Sequence, residues 1–194
     1  MTTHDTKAVN TGKDFEKLSV GNFQSVAIGV FGLGMQRKEY KDRNSGELTS
    51  KLEKQARVVW EVNKRDSEGK RFFIGKTYNL SVHEKSTMAQ HMKSWLGITV
   101  DEEFDLASVK GKQCLLNIIH SQTDYPMIAS VGPLPEGMDA IAQEQEIPLA
   151  MMKKIDENAS NAIVDPNAAV PETDVNSDID GQDGAYGGET KAPW

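Results

Sequence analysis

Basic and aromatic side chains between positions 35 and 85 are the residues best suited to chemistry in this chain. Seven Lys or Arg residues lie within 35–57 together with Tyr40, and Phe73 and Lys76 follow. Cations pair with the phosphates of a nucleic acid, and flat rings stack on its bases, each stacked base contributing about 1–3 kcal/mol. The pattern predicts binding of single-stranded nucleic acid, although a solvated basic loop would have a similar composition.

The predicted contacts fall into two chemical groups. Phosphates are assigned to the cations Arg37, Lys38, Lys41, Arg43, Arg57 and Lys76. Stacking is assigned to the rings of Tyr40, Phe73 and Tyr125. The rings Trp60, Phe72 and Tyr78 share strand parity with aliphatic residues, so we expect them in the core. These assignments depend on strand register, because a shift of one residue reverses the two faces of a strand.

Residue patterns typical of catalysis are weak. The segment "GVFGLG" has the spacing G-x-x-G-x-G, and no helix pattern follows it as a dinucleotide site requires. The four histidines do not have the spacing of metal ligands, and the acids at 101–103 are more typical of a solvated helix start. We therefore predict no enzymatic activity, no metal site and no cofactor. A hydrolase with an unrecognised site would reveal itself by cutting labelled DNA in the presence of Mg²⁺.

Charge is segregated along the chain. Residues 136–194 contain 13 acids and 3 bases, which leaves 16 acids and 19 bases in residues 1–135. A mildly basic body with an acidic tail is typical of some nucleic-acid-binding proteins, and a solubilising tail is the alternative interpretation.

Cysteine content and hydropathy indicate the compartment. The single cysteine, Cys114, lies in the apolar run "QCLLNII" and is predicted to be buried, and it excludes an internal disulfide. The N-terminal residues have no apolar segment, and no apolar run reaches the ~18 residues of a membrane span. We expect a cytoplasmic protein, in the host cytoplasm if it is viral, without membrane contact.

The order of predicted elements defines a fold. After a flexible arm at 1–20 come a strand with a bulge or bend near Gly29 and Gly32, a polar loop at 35–54, and a hairpin of two strands. A helix follows, with Ser86 as its N-cap and Gly97 at its end, and then two more strands.

This order matches an oligonucleotide-binding (OB) fold, a five-stranded barrel with a helix between strands 3 and 4. We predict a mainly β protein with this barrel at residues 21–135. An SH3-like barrel and a small α+β sandwich are alternatives whose helix placement fits less well.

The C-terminal region, 136–194, is predicted to be a largely disordered acidic tail. It contains one or two possible helical turns near Pro148 and ends in Trp194.

Several segments together resemble the OB-fold single-stranded-DNA-binding proteins of tailed bacteriophages. They are "VAIGVFGLGMQ", "ARVVWEV", "KTYNLSVHEKSTMAQHMKSWLG", "FDLASVKGKQCLLNIIH" and "IASVGPLP". The resemblance implies sequence-nonspecific binding of single-stranded DNA during replication, recombination or repair, without enzymatic activity. It also implies an acidic tail that recruits replication or recombination proteins, although here the tail ends in Trp where Phe is commoner. The partner-binding residues that the resemblance implies are Asp174, Asp178, Asp180, Asp183 and Trp194, since a terminal indole on a polyanion suits docking into an apolar pocket that basic residues surround. A homo-oligomer is compatible with this class.

A second function class remains open from the sequence. A small β domain with a basic loop as its epitope would bind and inhibit, or bridge, a host enzyme. Retardation of oligo-dT in a gel, lost at high salt, separates DNA binding from this alternative.

Overall fold

A single antiparallel sheet forms the body of the protein. The computed structural model describes residues 16–41 and 46–164. Its strands are β1 (Gly21–Lys41), β2 (Leu48–Arg65), β3 (Arg71–Asn79), β4 (Gln113–His120) and β5 (Pro126–Gly132). Its helices are α1 (Thr87–Leu96), a 3-10 helix (Leu106–Val109) and α2 (Leu149–Ser160). The strand order is β3-β2-β1-β4-β5. The predicted mainly β class is confirmed, as are the five strands and the helix between β3 and β4. Over the described ranges no helix is long and apolar enough to cross a membrane.

Strands β1 and β2 form one long hairpin where the sequence predicted a loop at 35–54. Their pairing continues from Met35 opposite Lys54 to Lys41 opposite Leu48. The loop prediction was wrong. Residues 37–41 are exposed, and neither face of this part of the hairpin packs on a core. Without a buried face there is no apolar alternation to indicate a strand.

The predicted irregularity in β1 is present. Its register with β2 shifts between Ala27 and Gly29 and again between Gly32 and Gly34. Gly34 has a φ of 69°, and a Cβ atom there would lie 2.7 Å from the Cβ of Ala162. A glycine is therefore required at position 34 both for the bend and for the close approach of a later segment.

The inner face of the sheet carries the main core, which α1 covers. Ser86 caps this helix by accepting a hydrogen bond from the Ala89 amide, and Gly97 ends it in the left-handed conformation, as the sequence predicted. Trp60 and Trp95 are buried with their ring centroids 6.3 Å apart. Cys114 is buried, as predicted, and burial raises the pKa of its thiol.

The outer face of the sheet carries a second core. Val26, Ile28 and Val59 are buried there against Ile155 of α2, with Ile147 packed beside them. We predicted that the domain ends at residue 135 and that the tail starts at 136. The compact unit extends instead to Val164. We call residues 136–164 the strap, because they cross the outer face of the sheet.

A buried carboxylate fastens one end of the strap. Glu61 is fully buried, and its oxygens accept hydrogen bonds from the backbone amides of Glu144 (3.0 Å) and Gln145 (3.4 Å). Arg71 lies beside it, with Nη1 3.4 Å from Glu61 and Nη2 2.7 Å from Glu144. At the other end of the strap, the Ile163 amide donates to the Met35 carbonyl at 2.8 Å. The strap is therefore bonded to the sheet at both ends.

Side chains join β3 to β5 at the open edge of the sheet, where the described residues show no ladder between these strands. Lys76 donates to the Ile128 carbonyl at 3.0 Å, and Ser94 of α1 donates to the Val131 carbonyl at 2.6 Å. Tyr78 bonds to Nδ1 of the buried His91 at 2.8 Å. We call this line of contacts the seam.

The seam predicts a dependence of stability on pH. Burial lowers the pKa of His91 from its usual value, and the nearby charge of Lys76 lowers it further. The unfolded chain therefore takes up the proton first as pH falls below about 6.5, so the free energy of unfolding decreases until the lowered folded-state pKa is reached. We expect the difference in stability between the wild type and His91→Gln to shrink over that range, as measured by urea unfolding at neutral pH and at about pH 5. A constant difference would contradict this interpretation.

Candidate nucleic-acid interface

A basic cleft lies where the β1–β2 hairpin meets β3. It has a volume of 590 Å³, and we call it the lysine cleft. Its cationic lining residues are Lys38, Lys51, Lys76 and Lys85. The amide side chain of Asn79 also lines it and accepts a 3.4 Å hydrogen bond from Lys38. The arrangement of several ammonium groups around one cavity suits the binding of an anion.

Two of these lysines lie directly opposite each other. Lys38 of β1 pairs with Lys51 of β2 in the register of the hairpin. Like charges at opposed positions destabilise a sheet, and the Lys51–Glu53 ion pair at 3.5 Å offsets this only in part. A bound phosphate would relieve the repulsion, so the pair favours a ligand-binding role for this cleft.

A second cleft lies at the other end of β3. It has a volume of 480 Å³ and contains Arg57, Phe73 and Tyr125, and we call it the arginine cleft. The sequence predicted these three residues separately, and the fold brings them to one cavity. The successive β3 residues Gly75 and Lys76 line the arginine and lysine clefts respectively. The two cavities therefore follow one another along β3.

Arg57 is half-buried and fixed on the outer face. Its Nη1 donates to Thr77 Oγ1 at 3.2 Å, and it has no ion pair with any residue that the structure describes. Burial lowers the pKa of its guanidinium, and Tyr125 partly opposes this change. A half-buried cation without a carboxylate partner remains available to a ligand.

Phe73 and Lys76, two of the predicted contact residues, are partly buried, whereas residues of an exposed binding face would be open to solvent. Phe73 packs partly against the outer core beside Met151, and its remaining surface lines the arginine cleft. Lys76 shares the inward parity of Ile74 and Tyr78, and burial lowers the pKa of its ammonium group. Lys76 also donates to the Ile128 carbonyl, so it stabilises the seam in addition to any contact that it makes with a phosphate.

The remaining predicted residues of β1 lie on the hairpin. Arg37, Tyr40 and Lys41 are exposed and line neither cleft, and half of the Tyr40 surface is accessible (50%). Leu48, the pairing partner of Lys41, is 78% exposed. The hairpin end thus combines exposed apolar groups with cations.

Some predicted positions lie outside the described residues. They are Arg43 and the tail residues Asp174, Asp178, Asp180, Asp183 and Trp194.

Lys51 and Lys85 complete the lysine cleft and were not selected from the sequence. Lys51 becomes a candidate only when residues 35–54 are recognised as a hairpin, because the pairing places it opposite Lys38. Lys85 precedes α1 and gives no periodic signal of its own.

Comparisons with protein-family models, with curated protein sequences and with solved structures find no match for this chain. Within residues 16–41 and 46–164, no group of three or more His, Cys, Asp or Glu side chains is placed to hold a metal ion.

Proposed function

We propose that this protein binds single-stranded DNA without sequence preference and supports DNA replication, recombination or repair. The observation that carries the proposal is the succession of the two clefts along β3. One supplies ammonium groups, among them the opposed pair Lys38 and Lys51, and the other supplies Arg57 with the rings of Phe73 and Tyr125. Cations that follow a backbone and rings that stack on bases are the two requirements of sequence-tolerant binding.

An OB-fold is the architecture that we propose for the sheet. The strand order, the helix between β3 and β4, and the approach of β3 to β5 at the seam all support it. OB barrels are partly open and bind oligonucleotides on the face of strands 2 and 3. The two clefts follow one another along β3, which supports a binding site on this strand.

Titration of a fluorescently labelled dT oligomer, followed by anisotropy, tests the function. Quenching of Trp60 or Trp95 is a poor readout because both side chains are buried. We expect binding that weakens linearly in a plot of log affinity against log salt, with a slope of about 0.7 for each phosphate contact. An absence of binding at physiological ionic strength, both for the full chain and for a chain ending at residue 164, would refute the function.

The tail is proposed to compete with DNA for the clefts. Residues 165–194 contain seven acids and one base, and the described unit ends beside Met35, where the exposed basic part of the hairpin begins. A tethered anion acts at high local concentration. We expect deletion of 165–194 to tighten binding of dT about tenfold at low salt and to have little effect at high salt, where charges are screened.

The control for this deletion is a tail of the same length in which its acids are replaced by Asn and Gln. This variant is expected to bind DNA as tightly as the deletion. Unchanged or weaker binding by both variants would exclude competition by charge. The proposed recruitment of replication or recombination proteins through Trp194 is then tested separately, by comparing Trp194→Ala with the wild type in partner binding.

The hairpin end supports a second candidate function, binding to a protein. Exposed Tyr40 and Leu48 among lysines would suit an acidic partner surface. Failure to bind the dT oligomer, combined with partner capture that Tyr40→Ala and Leu48→Ala abolish, would favour this function.

A further inference from the structure

The guanidinium group of Arg57 lies where a side chain of residue 75 would be. A Cβ atom on Gly75 would lie 2.7 Å from Nε, 2.7 Å from Nη2 and 2.9 Å from Cζ of Arg57. The register places Arg57 opposite Thr77, so the arginine side chain reaches diagonally along β3 from Thr77 toward Gly75. Only a residue without a side chain at position 75 permits this arrangement.

The plane of the Arg57 guanidinium lies over Gly75. The distances from that Cβ position to Nε, Nη2 and Cζ are nearly equal, so one face of the group is turned toward the strand. Nη1 donates to Thr77 and fixes the group in this orientation. The opposite face remains open to the arginine cleft.

A planar cation with one free face is a platform on which a nucleobase stacks. Tyr125, which is 67% exposed, lines the same cleft as Arg57. We infer that Arg57 stacks on a base beside Tyr125, rather than binding phosphate, and that Gly75 is the residue that holds its guanidinium in position. This inference rests on the proposed binding of single-stranded DNA and revises the phosphate contact predicted for Arg57.

Gly75→Ala tests the positioning role. Gly75 lies within a strand and its backbone does not have a positive φ, so alanine is compatible with the backbone. The new Cβ must displace the end of a flexible side chain, so we expect the thermal midpoint to change little while Arg57 leaves its place. Gly132→Ala is the matched control, because Gly132 also lies in a strand and a Cβ there would meet only the Leu115 carbonyl, at 3.9 Å.

Arg57→Lys is the second variant, since it keeps the charge and removes the plane. Each full-length protein is titrated with a dT oligomer and with an abasic oligomer of the same length, over a series of salt concentrations. We expect Gly75→Ala and Arg57→Lys to bind dT about tenfold more weakly than the wild type and Gly132→Ala. We expect binding of the abasic oligomer to change by less than about twofold, and the salt slope on dT to stay the same.

Two results would overturn the inference while leaving the proposed function intact. One is unchanged binding of dT by Gly75→Ala and Arg57→Lys. The other is a parallel loss on both oligomers with a salt slope smaller by about 0.7, which would identify Arg57 as a phosphate contact. If the wild type binds neither oligomer, the proposed function itself fails.

Discussion

Glu61→Ala is expected to lower the free energy of unfolding by about 3–5 kcal/mol, the cost of leaving one member of a buried ion pair without its partner. The Glu61 carboxylate is fully buried, so its loss removes acceptors from the amides of Glu144 and Gln145 and leaves the buried Arg71 with one carboxylate partner, Glu144. This end of the strap would then be held by fewer bonds, among them those from Arg71 to the Ala142 carbonyl and from Arg65 to Glu144. Urea unfolding measures the change.

Glu68→Ala provides the control for this prediction. Glu68 also pairs with a cation, Lys70, at 2.8 Å, but this pair lies at the surface. Exposed ion pairs contribute little to stability, so we expect the urea midpoint of this variant to match that of the wild type. If Glu61→Ala unfolded at the same urea concentration as Glu68→Ala, the strap would not be held by the buried carboxylate.

The second large effect is expected in the lysine cleft. Replacing Lys38, Lys51 and Lys85 together by Gln removes three cations that line the cavity. If each contacts a phosphate, the salt slope on a dT oligomer falls by about 2 and the affinity at about 0.1 M salt falls about 100-fold. Anisotropy titrations over a range of salt concentrations give both quantities.

A matched triple variant separates local contacts from net charge. Lys93, Lys110 and Lys112 are exposed and line neither cleft, so their replacement by Gln changes the total charge by the same amount. We expect less than about a threefold loss of affinity and nearly the wild-type salt slope, because charges beyond a Debye length are screened. Equal losses in the two triple variants would show that the lysine cleft is not the binding site.

The removal of three cleft lysines is also expected to increase stability slightly in the absence of DNA, since the opposed pair Lys38 and Lys51 repel each other. A gain in stability that accompanies a loss of affinity is typical of residues retained for binding.

The inner core was predictable because its residues follow the spacing of one helix or the alternation of one strand, each within a short stretch of sequence. The stripe of Met88, Met92 and Trp95 has helical spacing, and Ser86 and Gly97 have side chains suited to the two ends of a helix. The alternation of Val58, Trp60 and Val62 likewise indicated the inward face of β2. Such signals need no knowledge of distant residues.

The outer core was not predictable in the same way. Val26, Ile28 and Val59 lie on the outer face of the sheet, and their cover comes from the strap, which lies far along the chain from β1 and β2. Period-2 alternation assumes that one face of a strand meets water, so a sheet buried on both faces weakens the signal. The same cause explains why Phe73, predicted to be open, is partly packed.

The candidate site depends on pairings that no local pattern contains. The opposition of Lys38 to Lys51 requires the register of the hairpin, and the meeting of Arg57 with Tyr125 requires the path of the chain between β2 and β5. The residue types were predictable from composition, because cations and rings are what a nucleic acid requires. Their distribution between two clefts was not.

The strap has a consequence for how the protein is made. Ile28 and Ile147 belong to the same outer core, but Ile28 leaves the ribosome 119 residues before Ile147. Contacts that are so distant in sequence form late, and an apolar strand face that waits for its cover is prone to associate with other chains. We therefore expect the nascent protein to benefit from a chaperone, or from rapid completion of translation, until the strap has emerged.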